Sequence, residues 1–97
     1  MVLDLEKLRA VRSQIETIEG DFGAVQIRVF GSVARNSAGE ESDIDLLVRM
    51  EPGRSLRDLI SFEQTVSDLL GRKVDVVTEG GIHPGLEPTI LREAQPL

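Results

Sequence analysis

Cysteine, tryptophan and tyrosine are all missing from this chain of 97 residues. Without cysteine there can be no disulfide, no zinc–thiolate site and no thiol nucleophile, which fits a reducing compartment and leads us to expect a cytoplasmic protein. No apolar run approaches the ~20 residues needed to span a bilayer, so no membrane partner is expected. The stretch from Met1 to Arg12 is charged and periodic, a pattern unlike a signal peptide. Aromatic side chains are reduced to Phe22, Phe30 and Phe62, which read as packing residues and leave few platforms for stacking bases. Positive charge is also short: 11 Lys and Arg stand against 17 Asp and Glu, a net charge of −6. Such a surface repels a phosphate backbone, so no direct nucleic-acid contact is expected. The acidity points instead to a metal site or a basic protein partner.

The residues present are those of a folded chain: 40% are apolar and 29% charged, outside the disordered range. The length suits one domain, residues 1–97, with no room for a second core. Leu5, Leu8, Val11, Ile15 and Ile18 recur in steps of three and four and predict a helix over Leu5–Ile18, broken by Gly20 and Gly23. Ala24–Phe30 alternates and is β-branched, a strand with Val25, Ile27 and Val29 on one face. Gly31-Ser32 then opens a short helical turn through Val33, Ala34 and Arg35, and Asn36–Ser42 is a polar loop.

A second strand is predicted over Asp43–Arg49, with Ile44, Leu46 and Val48 alternating against Asp43, Asp45 and Leu47. Ser55, with Asp58 three residues on, caps a helix that ends at Gly71. Its apolar face is expected to comprise Leu56, Leu59, Ile60, Val66, Leu69 and Leu70. Lys73–Thr78 makes a third strand, Gly80-Gly81 and Pro84-Gly85 mark a loop, and a short helix over about Glu87–Ala94 closes the chain. The expected fold is thus α/β or α+β, a small sheet flanked by helices.

Three features of this layout carry chemistry together. Gly31-Ser32 ends the first strand, Asp43-Ile44-Asp45 begins the second after ten intervening residues, and Asp75 lies mid-way along the third. Alternate strand residues share a face, so Asp43 and Asp45 point together while Ile44 enters the core. Two carboxylates so close repel, and a divalent cation relieves the repulsion. Asp75 has the matching phase relative to Val74 and Val76 and joins the pair if the third strand neighbours the second. Three such carboxylates can hold two Mg²⁺ ions ~3.5–4 Å apart, the arrangement for in-line phosphoryl displacement. At the turn, glycine admits close approach of a ligand, the Ser32 hydroxyl can donate to a phosphate oxygen, and the following helical N–H groups favour an anion. Arg35, one turn on, is a candidate phosphate ligand or a surface ion pair.

Val-Phe-Gly-Ser-Val-Ala-Arg, Ser-Asp-Ile-Asp-Leu-Leu-Val and Lys-Val-Asp-Val-Val-Thr together resemble the minimal nucleotidyltransferases of the DNA polymerase β superfamily, over roughly Val25 to Thr78. The tail Ile90-Leu91-Arg92-Glu93-Ala94 is similar to that family's closing helix. The resemblance implies a polymerase β-like nucleotidyltransferase fold with a small mixed sheet. It implies that Gly31 and Ser32 bind the triphosphate of ATP, and that Asp43 and Asp45 bind both Mg²⁺ ions. Asp75 would complete the metal site and help deprotonate an attacking hydroxyl. It further implies an antitoxin that transfers AMP to a hydroxyl of a helical HEPN-type toxin, and hence a hetero-oligomer. The alternative is a non-catalytic antitoxin or adaptor that acts by binding such a partner. Transfer to a small molecule ranks lower, since 97 residues leave no acceptor domain.

Other polar residues read more simply. His83 lies in a Pro-Gly loop, Glu40 and Glu41 solvate the loop before the Asp pair, and Lys73, although on the face of Asp75, reads as a surface lysine.

Overall fold

The structure, a computed structural model, describes residues 3–40 and 42–97. Asp4 caps the first helix, α1 (Leu5–Ala10), by accepting from the Lys7 N–H. The single helix expected over Leu5–Ile18 is in fact two. Val11 leaves helical geometry, its N–H bonding to Leu8 three residues back, and α2 (Arg12–Phe22) starts afresh. The bend lets Leu8 on one segment and Ile15 and Ile18 on the other reach the same core. Gly20 is carried inside α2, and only Gly23, left-handed at φ 74°, ends it.

Strand β1 (Ala24–Phe30) has the expected bounds but not the expected face. Gln26 sits at φ 54°, and the pairing with the next strand shifts between Val25 and Arg28, the signature of a β-bulge. The extra residue puts Ala24, Ile27 and Val29 inward and takes Val25 out of phase. A one-turn helix, α3 (Gly31–Ala34), follows directly. β2 (Ile44–Met50) runs antiparallel to β1, and β3 (Val74–Thr78) runs parallel to β2.

Between them α4 (Leu56–Leu70) begins with the predicted capping box of Ser55 and Asp58 and ends at Gly71. Its buried stripe is narrower than expected. Phe62 and Val66 are buried, Leu59 and Leu70 pack alongside, and Leu56, Ile60 and Leu69 face outward. Positions 59, 62, 66 and 70 follow the three-four step through Phe62, so residues 56 and 60 lie on its flank.

A 3₁₀ turn (Glu79–Gly81) and α5 (Glu87–Glu93) lead to β4 (Gln95–Pro96), which pairs antiparallel with β1. The sheet therefore has four strands, not three, in the order β3-β2-β1-β4, and is mixed. β3 is an edge strand, and the Glu63 carboxylate of α4 accepts its Val76 N–H at 3.0 Å, closing part of that edge. The core gathers Leu8, Ile15 and Ile18 from α1 and α2, Phe62 and Val66 from α4, and the inward residues of β1, β2 and β3. Among the described residues no helix is long and apolar enough to cross a membrane.

Candidate active site

The end of β1 and the starts of β2 and β3 lie together. Phe30 pairs with Asp45 across the antiparallel ladder, and Asp45 pairs with Asp75 across the parallel one. This is the neighbour relation on which Asp75 depended, and it follows from alternation: Ile44 and Val74 are buried, so Asp45 and Asp75 emerge on the opposite face. Asp43, two residues before Asp45, shares that face.

Gly31 is fitted to Asp45. It adopts φ +73°, and a methyl built on it would collide with Oδ2 of Asp45. Glycine is thus required twice, for the left-handed backbone and for the carboxylate packed against it. Ser32, half-buried, lies in the first turn of α3, and its carbonyl accepts the Ser37 N–H at 2.9 Å, folding the following loop back on the turn.

The electrostatics reflect the crowding. Partial burial pushes the Asp45 carboxyl above its ordinary range, and the charges of Asp75 and then Asp43 push it further, against a smaller opposing pull from Arg35. Such mutual repulsion is what a bound cation relieves. The donor set, three carboxylates and no nitrogen or sulfur, suits a hard oxygen-seeking ion such as Mg²⁺. Among the described residues, however, no three acidic, histidine or cysteine side chains stand close enough together to hold an ion as placed. The Lys73 ammonium lies between two of them, 3.5 Å from Asp43 Oδ2 and 3.9 Å from Asp75 Oδ1.

The remaining candidates separate. Arg35 forms an ion pair with Glu93 of α5 at 3.0 Å. The His83 Nδ1 accepts the Gly85 N–H within its own loop, and Glu40 is exposed; Glu41 lies outside the described residues. Two features on the site face escaped sequence reasoning. The first is the contact of Lys73 with both acids, although the shared phase of Lys73 and Asp75 was a visible signal. The second is an ion pair of Arg28 with Glu79, which ties β1 to the 3₁₀ turn and had no local signal.

A family model for the nucleotidyltransferase domain matches residues 8–97. The chain belongs to that family. Protein adenylyltransferase MntA of Thermococcus cleftensis is 37% identical over 95% of this chain and 94% of its own length. Among solved structures, one described as a minimal nucleotidyltransferase superposes with a TM-score of 0.85 at 49% identity, covering 98% of this chain and 97% of that one. A complex of the tri-AMPylated Shewanella oneidensis HEPN toxin with its MNT antitoxin shares the fold with a TM-score of 0.67. It is 18% identical over 91% of this chain and 69% of its matched chain. The mixed sheet of this nucleotidyltransferase is therefore the architecture of minimal nucleotidyltransferases, and the turn and three acids sit where its strands converge.

Proposed function

We propose that this nucleotidyltransferase uses Mg²⁺ to transfer AMP from ATP to a hydroxyl of a partner protein, a helical toxin of the HEPN type, and thereby acts as its antitoxin. The observation that carries the chemistry is the packing of Gly31 against Asp45 with Asp75 opposite, which joins a phosphate-binding turn to a carboxylate cluster. The partner assignment is supported by the names of the similar proteins.

In this reading Asp43, Asp45 and Asp75 hold the metal, whose charge would neutralise the triphosphate. Ser32 and the first N–H groups of α3 bind the phosphates. The acceptor hydroxyl oxygen forms a bond to the α-phosphorus, the bond to the bridging oxygen of the β-phosphate breaks, and pyrophosphate leaves. Asp75 takes the hydroxyl proton on a carboxylate oxygen. Arg35 is paired with Glu93 and reaches the phosphates only when that pair opens.

The test is to incubate the protein with the product of the gene beside its own, Mg²⁺ and ATP labelled at the α-phosphate. Label should appear on the partner and fall roughly 10³-fold in rate with Asp43→Asn, about 4 kcal/mol on the barrier. A stable complex with no label from any nucleotide would favour the binding-only antitoxin. That second reading draws on Leu56 and Ile60, 70% and 58% exposed and one turn apart on α4.

A further inference from the structure

Lys73 has no role in the chemistry proposed above, yet it is the side chain most intimately placed among the acids. Its backbone is fixed: the Lys73 carbonyl accepts the Ile44 N–H at 3.0 Å, which seats the residue beside Asp43 where β2 begins. Alternation then turns Lys73 to the face of Asp75, two residues on. The ammonium lies within ion-pair reach of Asp43 and Asp75 at once. The other nearby cations are committed elsewhere, Arg28 to Glu79 and Arg35 to Glu93, while a guanidinium nitrogen of Arg72 faces the Ser42 carbonyl at 3.4 Å.

An ammonium has no lone pair to offer a metal and carries charge of the same sign, so it competes with a metal for these carboxylates. The competition is mild. The Lys73 side chain is 72% exposed, and exposed pairs of this kind are worth about 0–1 kcal/mol each. A four-carbon stem allows the head group to swing into solvent with little backbone movement.

We propose that Lys73 is a tethered counter-cation: it holds Asp43 and Asp75 when no metal is bound, and divalent metal enters by displacing it. Metal binding and release of Lys73 are then one exchange. The lysine sets how much free metal the site requires, and it screens the acids from one another when metal is scarce. This deepens the metal reading above and rests on it.

Direct calorimetric titration of MgCl₂ and MnCl₂ into the whole protein, without nucleotide, tests it. Lys73→Met and Lys73→Gln should tighten metal binding about two- to five-fold, the range expected when a weak competing ion pair is removed. Lys73→Arg, which keeps the charge, should stay near wild type. In metal-free buffer the two neutral variants should melt below the wild-type protein, and saturating metal should close the gap. Unchanged or weaker metal binding in both neutral variants overturns the exchange while leaving the metal site standing. A wild-type protein that binds neither ion overturns the metal reading itself, a separate and recognisable result.

Discussion

β2 presents two different worlds on its two faces. Ile44, Leu46 and Val48 point into the core and are fully buried against residues of the helices, Phe62 and Val66 among them. Asp45 points the other way, with Asp43 before it, and partial burial, followed by the charges of Asp75 and Asp43, raises its pKa. Even on this second face the division continues, because Leu47, one step deeper, is buried again and lies opposite Val77. The strand carboxylates gather at the end of the sheet nearest the Gly31-Ser32 turn, while Arg49 lies exposed at the other end. Stability and chemistry are here separated by one residue of phase. The inward residues can hold the strands rigid enough for the outward acids to stay close together at an energetic cost.

The largest departure should come from the inward face. Phe62 is 0% exposed at the centre of the α4 stripe, and Phe62→Ala should cost about 3–5 kcal/mol through lost burial and the cavity left behind. Small domains have roughly 5–15 kcal/mol in total, so urea denaturation should show a sharply lower midpoint. By contrast Leu56→Ala, at a residue 70% exposed on the same helix, should change stability by no more than ~0.5 kcal/mol. Equal losses from the two would mean that the α4 stripe is not what anchors the sheet.

The parts legible in the sequence are those set by local rules. Alternation in Ile44–Val48 and Val74–Val76 gave the phase of Asp43, Asp45 and Asp75, and Ser55 with Asp58 announced α4 through a box that closes within four residues. What escaped depends on contacts between distant segments. The bulge at Gln26 is visible only against the register of β2, so Val25 looked like a core residue. β4 is two residues long and contains Pro96, which no propensity marks as strand; it exists because the end of the chain meets the free edge of β1. Leu56 and Ile60 are as apolar as Leu59, and only the position of the sheet decides which of them is covered. The site divides likewise: its acids could be read from spacing, whereas the clash that reserves Gly31 for glycine needed Asp45 in place across the sheet.

That clash gives a sharper and smaller effect. Gly31→Ala meets both a left-handed backbone and Oδ2 of Asp45, while Gly53→Ala, at φ +86° with open space around it, meets the backbone penalty alone. Gly53→Ala should cost about 1 kcal/mol and Gly31→Ala about 2–3 kcal/mol. Adding Asp45→Ala to Gly31→Ala should recover part of the excess, a coupling measurable by a double-mutant cycle. Additive costs would show that the turn and the carboxylate are not in contact, and the proposed link between the Gly31-Ser32 turn and the acids would be lost.

The smallest effect tests whether the outward face is under electrostatic stress. Asp45 has a folded-state pKa above its ordinary value of 3.8, so the folded protein holds this proton more tightly than the unfolded chain. With more protons bound in the folded state, stability attributable to Asp45 falls as pH rises from about 4 through the raised pKa, and the penalty is complete above it. Asp45→Asn removes the penalty. In metal-free buffer at pH 7 it should raise the melting temperature, by no more than ~4 °C because the half-exposed carboxyl is screened by solvent. The advantage should shrink towards zero as the pH drops to about 4 and below, where the wild-type carboxyl takes up its proton. The same substitution should impair AMP transfer, so one residue would trade stability against activity. A lower melting temperature for Asp45→Asn at pH 7 would instead place Asp45 among the stabilising residues and erase the contrast between the two faces of β2.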